Sequence, residues 1–404
     1  MGSKIILILS LCWFTHTLRA QSGCTDPQAN NYNPAAVAND GSCTYAPTNY
    51  TLTLVNNLSD TVQETSGIFV EGNYLYTFND SGNGPKLYEL TSNGTLNRTI
   101  HVLNATNVDW EAIASDANYI YIGDFGNNNG NRQDLCVYRI AKPAVLNATN
   151  DTVASEKRVF KWEDQVQFTS APNANNFDCE SFFATSDSLF LFTKNWVDLK
   201  TRYYALPKTW ADTAIAVLRD SFYVNGLITD AHYDSIHQRV VLLGYKNNGS
   251  NFYTSFVYAL WDFSPHSYFS GNKRRIEVGN VLTVGQTEGI TLDALAHGYL
   301  TAEKVSSFVV IPPKLFSYDF SPYFSGDAGI ENTKKENRIS FFYDSAKAGY
   351  TLKINVSFKQ ARIIDLSGKT LLEIKSTYTE GILSTFHGKA FLILDDQSHP
   401  LYLP

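Results

Sequence analysis

Five short stretches of this sequence share one pattern, and four of them carry an acid at the same place. They are Thr65-Ser66-Gly67-Ile68, Trp110-Glu111-Ala112-Ile113, Cys179-Glu180-Ser181-Phe182, Thr229-Asp230-Ala231-His232 and Thr287-Glu288-Gly289-Ile290. About 13 to 16 residues after the anchors come Asp80, Asp124, Lys194, Lys246 and Glu303. If the anchors converge on one axis, Glu111, Glu180, Asp230 and Glu288 are pressed together, and like charges brought close must be protonated, paired or bridged by a cation. Carboxylate oxygens select a hard ion, so these four are the candidate metal ligands and calcium the expected cation, with no organic cofactor. Lys194 and Lys246 would supply part of the compensation. The plainer reading has the same side chains hydrogen-bonding backbone amides around a narrow channel. A separate set, Asp230, His232 and Asp234, falls on one face of a strand by alternation and is a weaker metal candidate.

The elements that would position these residues are strands. Each anchor leads into an alternating run and a tight turn, as in Asn118-Tyr119-Ile120-Tyr121-Ile122-Gly123 and Ser188-Leu189-Phe190-Leu191-Phe192, and a third strand such as Lys86-Leu87-Tyr88-Glu89-Leu90 follows. Ser66, Glu111, Glu180, Asp230 and Glu288 are spaced by 45, 69, 50 and 58 residues, near the period of propeller blades. The fold class is therefore all-β, a β-propeller followed by a small C-terminal β-sandwich. The 69-residue gap has room for a weaker blade around Val153 to Phe168, so the count leans to six blades, with five or seven open. A pair of Greek-key sandwiches is the alternative that alternation alone does not remove.

The start of the chain reads as a signal peptide over 1–20: Lys4, the largely apolar run Ile5 to Phe14, and Ala20 before a cut at Gln21. Leu9-Ser10-Leu11-Cys12 is a poor lipoprotein box, because Leu11 is bulky where a small residue normally stands. No later run approaches the 18 or so apolar residues of a membrane span, so no transmembrane segment is expected. Removing Lys4 and Arg19 takes the formal charge from -7 to -9 and leaves no basic stripe, which argues against nucleic acid as a partner. Without Cys12 four cysteines remain in an oxidising compartment, readable as two bridges. Cys24 with Cys43 is the safer pairing; Cys136 and Cys179 either bridge or stay as buried thiols. No Gly-x-Ser-x-Gly elbow, His-Glu-x-x-His helix, Walker loop or dinucleotide-binding turn appears, so no residue is assigned a catalytic role.

Three resemblances add to this reading. Gly23-Cys24-Thr25-Asp26-Pro27, Asn30-Asn31-Tyr32-Asn33-Pro34 and Asn39-Asp40-Gly41-Ser42-Cys43 resemble a short cysteine-bracketed module of secreted Bacteroidetes-type proteins. Its Asn, Asp, Pro and Gly residues favour turns; Asp26, Asn39 and Asp40 either ligate calcium or simply form those turns. Ala361-Arg362-Ile363-Ile364-Asp365-Leu366-Ser367-Gly368-Lys369 with His387-Gly388-Lys389-Ala390-Phe391 resembles the C-terminal sorting domain of type IX secretion, although Tyr402-Leu403-Pro404 replaces the usual Lys-rich tail. Asp109-Trp110-Glu111-Ala112-Ile113, Gly123-Asp124-Phe125-Gly126 and Glu288-Gly289-Ile290 resemble secreted propellers of the phytase-like and esterase-like families, which implies calcium and an anionic or ester substrate. The expected organisation is a signal peptide at 1–20, a disulfide-closed loop at 21–46, a propeller at 47–320, a linker at 321–336 and a sorting domain at 337–404. The expected function is a secreted or cell-surface module exported through the periplasm by the type IX machinery, binding a small molecule, glycan or protein. The alternative is a metal-dependent hydrolase of phosphate or carboxylic esters built on Glu111, Glu180 and Glu288. Trp110, Trp162, Trp196 and Trp210 are the aromatics that a sugar or a partner surface would use.

Overall fold

The computed structural model describes residues 21–147, 152–210, 213–249, 252–306 and 310–324, residue 151, and, beyond 338, strands and short connections that omit 345–348, 355–359, 366–368, 376–379, 384–387, 395–396 and 404. The signal peptide expected over 1–20 and most of the linker expected over 321–336 lie outside the described residues. The chain divides into two compact units, Met1–Gly326 and Asp327–Pro404.

The first unit is a propeller of five blades, each a four-stranded antiparallel meander at its centre. Its innermost strands are Thr65–Glu71, Trp110–Ser115, Cys179–Ala184, Leu227–Asp234 and Gln286–Ile290, and each packs on the next until the fifth meets the first. Among the described residues there is no sixth blade, for a topological reason. Glu156–Trp162 is the outermost strand of the second blade, pairing with Cys136–Ala141, and the short strand Thr152–Ala154 is added in parallel to the edge of the first. The excess length between Glu111 and Glu180 is thus an excursion within existing sheets.

The fifth blade takes its outermost strand from the other end of the unit: Thr53–Asn57 pairs antiparallel with Lys314–Asp319. Joining the two ends in one sheet closes the ring. Between blades the cores are aromatic. Phe125, Phe160 and Phe182 make edge contacts across the second and third blades, while Phe183, Phe190 and Tyr268 cluster between the third and fourth.

Residues 21–57 strap the fourth blade to the fifth. Cys24 and Cys43 are bridged, Asn39 donates to Asp262 and Asn272 at 2.8 and 2.9 Å, and Tyr45 packs on Trp261. The oxygens of Asp26, Asn39 and Asp40 accept from the backbone N–H groups of Gln28, Gly41 and Ser42, so they act as turn formers. Crosslinking a 19-residue separation removes chain entropy from the unfolded state, by about 3 kcal/mol in the loop-closure account. A Cys24→Ala/Cys43→Ala variant should lower unfolding free energy in urea by up to that amount; an unshifted midpoint would show that the strap is not part of the cooperative unit.

Cys136 and Cys179 do not bridge. They sit in different interblade cores, Cys136 with Phe78 and Trp110 and Cys179 with Phe125 and Phe182, and both are buried free thiols. Burial pushes the Cys136 thiol up to about 12.

The second unit has two antiparallel sheets. One contains Ile339–Asp344, Gly349–Ile354 and Glu380–Leu383; the other has the order Thr370–Lys375, Gln360–Asp365, Gly388–Leu394 and Gln397–Leu403. Among the described residues no helix is long and apolar enough to cross a membrane.

Candidate metal centre

Every innermost strand breaks register at its anchor or one residue before it. Glu111 is skipped between Trp110 and Ala112, Glu180 between Cys179 and Ser181, and Glu288 between Thr287 and Gly289; in the first blade the irregularity spans Ser66-Gly67. A bulge re-aims the side chain of its extra residue, and here it turns three glutamates into the end of the channel. Ser66 uses its hydroxyl to donate to the carbonyl of Glu111 at 2.7 Å, tying the first innermost strand to the second.

In the fourth blade the skipped residue is Thr229, not Asp230. The expectation for Asp230 is therefore corrected by one position: Thr229 donates to the carbonyl of Thr287 at 3.0 Å, as Ser66 does to Glu111. Asp230 is buried, accepting from the backbone N–H groups of Ile290 at 2.7 Å and Ala231 at 2.8 Å. The same offset moves its partner strand, so Tyr245 reaches the channel while Lys246 lines an outer depression beside Thr254 and Arg275. The weaker set also disperses, because Asp234 accepts from the His237 ring at 2.9 Å and His232 borders a different cavity.

Asp80, Glu111, Glu180, Lys194, Glu288 and Glu303 all line one cavity of about 390 Å³, together with Asn128, Asn129, Trp196 and Tyr245. Asp124 does not open onto it. Its carboxylate accepts from the backbone N–H of Asp109 at 3.1 Å and from Arg132 at 2.9 Å, and Arg132 also donates to the Gly126 carbonyl at 2.9 Å. This network holds the turn that presents Asp109.

Asp109 completes a cluster: one carboxylate oxygen each from Asp80, Asp109 and Glu111 lie within 4.8 Å of one another. Gly126 lets them do so, since a Cβ there would collide with Glu111 Oε1 and Asp109 Oδ2. Among the described residues no hydrogen-bond donor reaches the Glu111 carboxylate, although Glu111 is only 5% exposed. Burial, with Asp80 and Glu180 alongside, pushes Glu111 well above the usual carboxylate range. Burial and the charge of Asp80 push Asp109 up to about 7, and burial pushes Glu288 up to about 7 against the opposing Lys194 and Gln286. Burial also raises Glu303, with Glu288 adding to it.

Among the described residues Lys194 is the one ammonium in the cavity lining. Burial works against its charge, but Glu180, which it contacts directly, outweighs that and keeps Lys194 protonated. Trp196 is anchored from behind by Asp178, which accepts from its ring N–H at 2.8 Å. Asp109 and Asp178 had a sequence signal: each stands two residues before an anchor glutamate, the spacing that shares a strand face. Gln286 before Glu288 repeats it, donating to Glu288 at 2.8 Å. Tyr245 had none, because a tyrosine in a strand is ordinary core.

No protein-family model matches this chain, and no curated protein matches it. Solved structures similar to it include glutaminyl cyclase from Myxococcus xanthus, 11% identical with a TM-score of 0.38 over 67% of this chain and 97% of that one. PorZ, a surface component of the type-IX secretion system of Porphyromonas gingivalis, is 11% identical with a TM-score of 0.32; this chain covers 49% of its length, and the match takes in 93% of this chain. An exo-beta-1,3-galactanase from Clostridium thermocellum is 10% identical with a TM-score of 0.43, over 87% of this chain and 82% of that one. At this level of likeness the strand pairing, rather than any neighbour, defines the architecture.

Proposed function

We propose that this protein is an exported binding module that holds calcium at the acidic end of its propeller channel and uses that end to take a ligand. The carrying observation is the Asp80, Asp109 and Glu111 cluster, with oxygens within 4.8 Å and a Glu111 carboxylate that lines the cavity and that no described donor reaches. Carboxylates crowded in this way are stabilised by a bound cation, and an all-oxygen donor set suits calcium. Residues 337–404 act in this reading as the type IX sorting domain, supported by the Ile364-Asp365-Leu366-Ser367-Gly368-Lys369 motif and the antiparallel strands around it. The secretion machinery is then a transient partner, and the destination is the cell surface or the medium.

The test is metal content of the purified full chain by elemental analysis, with calorimetric calcium titration of wild type and an Asp109→Asn/Glu111→Gln variant. One ion per chain is expected, with affinity weakened roughly 100-fold or more in the variant. Calcium-free wild type that does not titrate would end this reading. The hydrolase reading keeps one supporting observation, that Glu111, Glu180 and Glu288 share a cavity. Calcium-dependent turnover of p-nitrophenyl acetate or phosphate, lost in Glu180→Gln, would favour it over binding alone.

A further inference from the structure

Beside the proposed calcium site, and resting on that reading, we infer that the channel end binds a neutral sugar through vicinal hydroxyls. The cavity, at about 390 Å³, is far larger than an ion needs and falls in the range of small-molecule sites. Its lining offers an anion little to hold. Among the described residues five carboxyl groups, Asp80, Glu111, Glu180, Glu288 and Glu303, line it with one ammonium, Lys194, which is already engaged by Glu180. A phosphate or carboxylate entering here finds no free ammonium or guanidinium, whereas the hydroxyls of a neutral polyol can donate to and accept from carboxyl and amide groups.

The walls carry matching polar chemistry. The side chains of Asn128 and Asn129 border the cavity, and no described partner bonds either amide; each offers a donor and an acceptor spaced for adjacent hydroxyls. Their loop is held in place by its backbone, with the Asn128 carbonyl accepting from Asn173 and Asn175 at 2.9 Å each. Trp196 is partly exposed at the same cavity, its ring oriented by Asp178, and supplies an apolar face for the C–H side of a pyranose or furanose ring. Paired hydroxyl oxygens also suit calcium, which accepts neutral oxygen ligands in addition to carboxylates.

The experiment begins with calcium titration of wild type alone, which reads the metal site by itself. Calcium-loaded full chain is then titrated with methyl galactoside, methyl mannoside and methyl arabinofuranoside, and separately with glucuronate and phenyl phosphate, following calorimetric heat and Trp fluorescence. At least one neutral glycoside should bind, and its affinity should fall roughly tenfold in Trp196→Ala and in Asn128→Ala, and again with EGTA. Glucuronate or phenyl phosphate binding more tightly than every neutral glycoside overturns the inference. So does calcium-loaded protein that binds none of the three, an outcome that leaves the calcium site standing.

Discussion

Calcium-free protein should lose stability as the pH rises from about 4 to about 8, the reverse of ordinary acid denaturation. Asp109 and Glu288 are raised from 3.8 and 4.5 to about 7 by burial and neighbouring charge. Below the unfolded-state values both states hold their protons and the stability is complete. Between about 4 and 7 the unfolded chain releases protons that the folded chain retains, so stability falls with pH through that window and levels beyond the folded values. A single shift of this size corresponds to about 4 kcal/mol, and since the acids interact, the two effects do not simply add. At the proposed calcium site the ion would compete with the Asp109 proton, so it should restore about 4 kcal/mol at roughly 1,000 times its Kd at pH 8 and little at pH 5, where protons occupy the ligands. The measurement is Tm across this pH range in EGTA and in millimolar calcium. Two parallel curves would sink the idea.

Replacing Lys194 with Met should destabilise the propeller by about 3–5 kcal/mol at pH 8, the cost of leaving one member of a buried ion pair alone. Lys194 and Glu180 are both about 95% buried and in direct contact. The ammonium also lies 5.2 Å from the ring centres of Trp196 and Tyr245, so the variant loses two cation–π contacts as well. Lowering the pH to about 5 should recover part of the loss, because an unpaired Glu180, already raised by burial, then keeps its proton. A Lys194→Met/Glu180→Leu variant should recover most of it at pH 8, since apolar groups of similar volume replace a buried pair at little cost. Urea denaturation of both variants decides the matter: a single variant as stable as wild type would mean that the pair is solvated and the cavity wet. Both results bear on function, because Lys194 is a positive group among the five acids, Asp80, Glu111, Glu180, Glu288 and Glu303, that line this channel end.

Period-two alternation and turn residues are local properties, and they were sufficient to read an all-β propeller and to bring Glu111, Glu180, Glu288, Asp80, Lys194 and Glu303 to notice. The Cys24–Cys43 bridge was legible for a similar reason, as its two ends bracket one turn-rich stretch. Blade number was not local. Glu156–Trp162 completes the second blade after a 14-residue excursion, and Thr53–Asn57 completes the fifth from far away in sequence, so counting strands along the chain misassigns both. The fourth-blade residues were misplaced by one because alternation does not reveal where a strand bulges. Packing of five innermost strands around one axis puts the extra residue at Thr229, which turns Asp230 onto backbone amides and exchanges Lys246 for Tyr245. Residue type and spacing thus determined which acids and which lysine this protein has to work with. Which of them share a cavity was decided by register across the sheets, because in a strand a shift of one residue sends a side chain to the opposite face.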